Sequence, residues 1–176
     1  MKTIVMGFAA GVAALAGQAA SAQTTAAPAP DCAADPIYQQ QDFTLGHWDV
    51  YNKGVKTAEV KMERVLGGCA IYEVWTPLGE NKKGHGLGLF AYSRMNKQWG
   101  YFWVADNPAN TVFTGSLIKP GEMRYVTERP LPTGGTRLRH WTLSLEPDGT
   151  VRELSVGTDD RKTWTTEYDL IWHKKK

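Results

Sequence analysis

The sequence predicts an all-β protein: an antiparallel up-and-down β-barrel of about ten short strands, entered through one short N-terminal helical turn. Three observations carry this expectation. From Gly46 to the C-terminus, apolar-alternating runs succeed one another at roughly 8–15-residue spacing, the pattern of an all-β meander, either a barrel or a sandwich. The gaps between them are filled by Gly, Pro, Asn and Asp, and no stretch keeps a helical period for longer than a turn. Finally, Phe43–Tyr51 places a Gly-x-Trp, Gly46-His47-Trp48, at the entrance of the first run behind an aromatic-bearing turn. Gly46 allows a sharp bend there, and Trp48 is expected to plug one end of the interior.

Residues 1–22 read as a signal peptide. Lys2 supplies the positive start, Ile4–Ala16 the apolar centre, and Ala20-Ser21-Ala22 the small-residue cleavage site. No basic stop-transfer flank follows, and Ala29-Pro30-Asp31 before Cys32 is no lipid-attachment motif, so no membrane anchor is expected after cleavage. A secreted, periplasmic protein follows. Residues 23–35, rich in Ala, Pro and Thr, read as a flexible lead held only at Cys32. Residues 36–176 then form a single barrel domain, long enough for a sizeable core.

Both cysteines, Cys32 and Cys69, lie beyond the signal, in a chain bound for an oxidising compartment. A Cys32–Cys69 disulfide is the natural reading. Metal ligation is its rival, but no Cys-x-x-Cys accompanies them, and no metal site is expected. The formal net charge of +2 at pH 7 is spread along the chain and gives no footprint for nucleic acid. Lys174–Lys176 read as a solvated end.

In order, Asp35 and Pro36 open a helical turn over 36–41. The expected strands are Gly46–Asn52, Thr57–Val65, Cys69–Thr76, Gly86–Ser93, Gln98–Ala105, Thr111–Leu117, Glu122–Glu128, Thr136–Leu145, Thr150–Val156 and Thr163–His173. Their two-residue period sorts side chains into faces. Trp99, Tyr101 and Trp103 share one face; Ile71, Glu73 and Trp75 share another. An inner face mixing Trp and Tyr with a carboxylate suits a lined cavity better than a Val/Ile/Leu-filled core. Glu73, Trp75, Trp99, Tyr101, Trp103, Tyr125 and Trp141 are therefore the expected ligand-binding residues.

Phe43–Tyr51, Gly67-Gly68-Cys69, Glu73-Val74-Trp75, Trp99–Asp106, Asp148–Glu153 and Lys162-Thr163-Trp164 together resemble a family of secreted bacterial proteins of unknown function. That family is calycin-like, with a lipocalin- or nitrobindin-like barrel. The resemblance spans about Asp31 to Lys174 and implies a barrel with an internal pocket and the Cys32–Cys69 bridge; it brings no established activity. Two departures stand out. Asp159-Asp160-Arg161 replaces the family's usual longer Asp-Gly-Gly hairpin, and Ser155 stands where Trp is frequent. Both imply a wider or more polar pocket near the last two strands.

A nitrobindin-like site would hold haem on an inward imidazole. Of His47, His85, His140 and His173, the nominees are His140 and His173. His173 sits beside the basic tail, His140 alternates away from Trp141, and no Cys-x-x-Cys-His is present, so no cofactor is expected. Gly84-His85-Gly86-Leu87-Gly88 looks like a phosphate loop only superficially. No helix follows it, and the glycines fit a turn and a close strand approach.

Glu73 is the one candidate for chemistry. Buried alone it would be costly, and Arg137, Arg139 and Arg152 are the candidate partners. The expected function is binding of a small apolar or aromatic ligand by a monomer or homodimer. An enzyme using Glu73 as general acid or base, and a filled-core interaction module, are the alternatives.

Overall fold

The computed structural model describes residues 31–79, 84–108 and 110–176. The expected signal peptide and residues 23–30 of the expected lead lie outside the described residues. Ten antiparallel strands close into one barrel in the order β1-β10-β9-β8-β7-β6-β5-β4-β3-β2, so each strand pairs with its sequence neighbours and β10 closes on β1. The strands are β1 Gly46–Asn52, β2 Val55–Val65, β3 Ala70–Pro77, β4 Gly86–Ser93, β5 Gln98–Ala105, β6 Asn110–Lys119, β7 Glu122–Pro130, β8 Thr136–Leu145, β9 Val151–Thr158 and β10 Thr165–Lys174. This is the expected all-β up-and-down barrel, and closure excludes the sandwich that the strand pattern alone left open. Full closure leaves no sheet edge unpaired among the described residues.

The expected helical turn is a chain of i to i+3 turns rather than an α-helical one. Tyr38 N–H donates to Asp35 O and Gln39 N–H to Pro36 O, and a 3-10 turn follows at Asp42–Thr44. Asp35 still opens it, its Oδ1 accepting the Ile37 N–H at 3.0 Å.

This segment caps one end of the barrel, and the capping is specific. Trp48 Nε1 donates to Thr44 O at 2.8 Å, and Trp99 Nε1 donates to Gln40 Oε1 at 2.9 Å. Tyr125 donates its hydroxyl to Gln41 Oε1, in a side chain with no solvent exposure. Arg64 reaches across from β2, donating to Tyr38 O and Gly68 O and pairing with Asp42. Thus Trp48 shares the plugging of this end with the turn it hydrogen-bonds.

Cys32 and Cys69 are joined, tying the cap to the start of β3. Gly68, with φ +91°, passes so close to Ala33 that a Cβ would lie 2.7 Å from the Ala33 nitrogen. The bridge closes a loop across 37 positions, which the chain-entropy estimate values at about 4 kcal/mol. Cys69→Ala should lower the unfolding free energy by that amount in a denaturant titration. Protein unfolded without reductant should show no reactive thiol; one thiol per cysteine would refute the bridge.

Above the cap the interior is packed. Trp48, Val50, Met62, Ile71, Phe90, Trp99, Met123, Tyr125, Leu143, Val151 and Trp172 are all buried in one apolar cluster. A β-bulge between Thr166 and Tyr168 interrupts the pairing of β10 with β9. It brings Glu167 and Tyr168 to the same inner side, a normal consequence of an extra residue. That local irregularity shapes the mouth described next.

Candidate functional site

A cavity of about 370 Å³ lies in the half of the barrel away from the cap. Its walls are Trp75 from β3, Tyr101 and Trp103 from β5, Thr111 and Phe113 from β6, Arg139 and Trp141 from β8, and Tyr168 and Leu170 from β10. Glu73 and Glu153 complete it. The aromatic rings form a continuous contact series. Tyr101 and Trp141 centroids are 4.8 Å apart, Phe113 and Trp141 5.7 Å, and Tyr101 and Trp103 6.4 Å. Phe90 stacks behind Tyr101 at 4.0 Å and holds that ring from the core side.

Five of the seven expected ligand residues meet here: Glu73, Trp75, Tyr101, Trp103 and Trp141. Trp99 and Tyr125 do not. Both face inward, as alternation permits in a closed sheet, but they sit lower, with their polar atoms bound to Gln40 and Gln41 of the cap. They are structural floor, and the cavity begins above them.

Glu73 is 2% exposed, and none of the arginines nominated as its partner reaches it. Arg152 instead pairs with Asp169, while Arg137 and Arg139 both pair with Glu167, at 2.8 and 2.5 Å. Glu167, the extra residue at the bulge, lies on the inner side and holds both guanidinium groups. Glu73 is served by a neutral donor, the Tyr101 hydroxyl, at 2.7 Å from Oε2. Gly88 makes this arrangement possible, since a Cβ there would sit 2.4 Å from Glu73 Oε2 and 2.6 Å from the Tyr101 ring. Glycines in the strand Gly86–Ser93 therefore serve a close approach, as expected.

Sequence reasoning missed Glu153. It is 5% exposed and lies between two indoles: Trp141 Nε1 donates to Oε1 and Trp172 Nε1 to Oε2, each at 2.9 Å. Tyr168 adds a third hydrogen bond. The available signal was the run Val151–Ser155, in which Val151, Glu153 and Ser155 share a face opposite Arg152 and Leu154.

Burial pushes Glu73 up to about 8, with the neighbouring Glu153 charge adding to the rise and the Tyr101 hydrogen bond opposing it. Burial likewise pushes Glu153 up to about 7, against the stabilising indole and phenol donors. Tyr101 and Tyr168 are raised well above the ordinary tyrosine value by burial and the adjacent carboxylates, so both remain donors. The cavity thus presents two carboxyls whose protonation changes near neutrality, with aromatic walls around them.

At the mouth, Ser155 donates to Glu167 Oε2 at 2.8 Å and Arg137 donates to Thr165 at 3.0 Å. The mouth beside the last two strands is indeed polar. His140 lies tilted against Trp164 with ring centroids 4.5 Å apart, and His173 meets Tyr51 edge-on at 5.0 Å. Each alternates with an inward tryptophan, Trp141 or Trp172, so neither imidazole enters the cavity. Among the described residues, no three His, Cys, Asp or Glu side chains are grouped as a metal-ligand set.

No protein-family model matches the chain, and no curated protein matches it.

Proposed function

We propose that this protein is a binding protein for a small aromatic or apolar molecule, held in the aromatic-walled cavity. One observation carries the reading: the barrel is packed below Tyr101 yet leaves about 370 Å³ above it, ringed by Trp75, Trp103, Phe113 and Trp141. That lies within the roughly 300–1,000 Å³ usual for small-molecule sites. A filled-core module has no need for such a gap, because unfilled apolar volume costs stability. The disulfide accords with an oxidising compartment, and we place the protein outside the cytoplasm, in the periplasm, on the leader of residues 1–22. The calycin-like resemblance implies a barrel with an internal pocket and is consistent with this reading, though it brings no activity of its own.

Titration with the neutral probe N-phenyl-1-naphthylamine tests the reading. Probe emission should rise and tryptophan emission fall as a saturable function of concentration. Trp103 is half-buried at the mouth, so Trp103→Ala should leave the fold intact while weakening binding about tenfold, the worth of one lost aromatic contact. Absence of saturable binding, or equal affinity in the variant, would remove the site from this cavity.

A second reading, an enzyme with Glu73 as general acid or base, is favoured by its carboxyl being tuned toward neutrality beside a second one. On that reading Glu73→Gln abolishes turnover of a bound compound while leaving probe affinity unchanged.

A further inference from the structure

The cavity is acidic without a counterion. Two carboxyls, Glu73 and Glu153, are 2% and 5% exposed, and every partner they have is neutral: Tyr101, Trp141, Trp172 and Tyr168. Buried carboxyls ordinarily come with a basic partner. Here the cavity's own guanidinium, Arg139, is taken by Glu167, which also binds Arg137; Arg137 in turn pairs with Asp159 at 2.7 Å. The mouth is therefore balanced in charge, two guanidinium groups against two carboxylates. The floor has carboxyls alone.

The groups facing Glu73 come from each packed element: Tyr101 of β5, Tyr125 of β7, Trp141 of β8 and Glu153 of β9, with Tyr168 of β10 beside Glu153. None is basic. Around them stand the rings of Trp75, Trp103, Trp141 and Phe113. Aromatic faces attract a cation when water is excluded, and a cage of several over a carboxylate is the arrangement that recognises ammonium groups.

We propose, building on the binding reading above, that the ligand is an aromatic molecule carrying an organic cation, an amine or quaternary ammonium. Its ring lies between Trp75 and Trp103, and its charge sits over Glu73 and Glu153. The cation is the missing counterion. On its entry a carboxyl still holding its proton releases that proton to solvent, so charge inside the cavity is conserved, and affinity rises with pH through the range in which the two carboxyls ionise.

Phenyltrimethylammonium and tert-butylbenzene test this, because they share a shape and differ in charge. Each is titrated against tryptophan emission of the intact protein at pH 5.5 and 8.5, and proton release is read by calorimetry at pH 7 in two buffers of different ionisation enthalpy. The cation should bind at least about tenfold more tightly than the hydrocarbon at pH 8.5, a preference shrinking to about threefold or less at pH 5.5. Proton release should accompany the cation alone. Glu73→Gln should erase most of the preference, read as the ratio of cation to hydrocarbon affinity within that variant. A hydrocarbon bound as tightly as the cation at both pH values, with no proton released, overturns the cation proposal and leaves the apolar binding reading standing. Binding of neither compound, nor of the naphthylamine probe, overturns that reading too.

Discussion

Trp48→Ala is expected to lower the unfolding free energy by roughly 3–5 kcal/mol, the usual cost of truncating a buried aromatic. Trp48 is 2% exposed at the capped end of the barrel, where its ring meets Trp172 at 6.4 Å and the Lys174 ammonium lies 5.2 Å from its centroid. Neighbours on every side belong to strands fixed by pairing, with Trp48 itself opposite Val60 and Lys174. The wall therefore has little freedom to collapse into the space, and the cavity term stays large. The Thr44 carbonyl also loses its indole donor. Trp48→Phe separates the two contributions: it keeps most of the packing and loses the hydrogen bond, for an expected cost of about 1–2 kcal/mol. Urea titrations of the three proteins check both values. A near-neutral Trp48→Ala would mean that the cap, not the indole, holds this end shut.

How much of this was legible in the sequence depended on which physical rule was in play. Strands bounded by strong breakers could be read to the residue: Gly46–Asn52, Gly86–Ser93, Gln98–Ala105 and Thr136–Leu145 are strands as expected. Ends without a breaker moved. The run expected to stop at Leu117 continues to Lys119, and the one expected to start at Thr57 starts at Val55 after a two-residue turn. The two-residue period also grouped Glu73 with Trp75, and Trp99 with Tyr101 and Trp103, on shared faces, and closure of the barrel turns those faces, with Tyr125 and Trp141, inward.

Height along the barrel was another matter. Period fixes the face, whereas strand stagger and the position of the cap fix depth. Strand β5 illustrates this: it carries Trp99 into the cap, Tyr101 to the cavity wall and Trp103 to the mouth. Glu153 was hidden because Leu154 and Val156 make the opposite face look equally apolar. The expected arginine partner for Glu73 failed for a third reason. The inward turn of Glu167 comes from a bulge, and nothing in the composition of Thr165–Lys174 marks where an extra residue enters the ladder.

Between pH 4.5 and 8.5 the protein should lose stability, and Glu73→Gln should remove most of the loss. Glu73 is raised from 4.5 to about 8 by burial, so the folded state favours its protonated form. A raised carboxyl contributes stability that is fully present below its unfolded value and is lost as pH climbs through the folded one. The window for Glu73 is therefore about 4.5 to 8, and Glu153, raised to about 7, acts in the same direction over its lower part. At 1.36 kcal/mol per unit, Glu73 alone is worth on the order of 5 kcal/mol. Other groups do not blur the comparison. Glu59, lowered to about 2 by Lys175 and Lys56, acts in the opposite sense but only below pH 4.5. His140, lowered by burial and Arg124, is the same in both proteins and cancels in the difference. The variant's side-chain amide still accepts the Tyr101 hydroxyl, so it should match the parent within about 1 kcal/mol at pH 5, where the parent's carboxyl is neutral. By pH 8.5 the parent has ionised a carboxyl among Trp141, Tyr101 and Glu153 while the variant carries no charge at this position, and the variant should be the more stable of the two. Chemical denaturation at half-unit pH intervals gives both curves. Parallel curves would show that Glu73 ionises at its ordinary value in the folded protein, and that the cavity floor is wetter than its burial indicates.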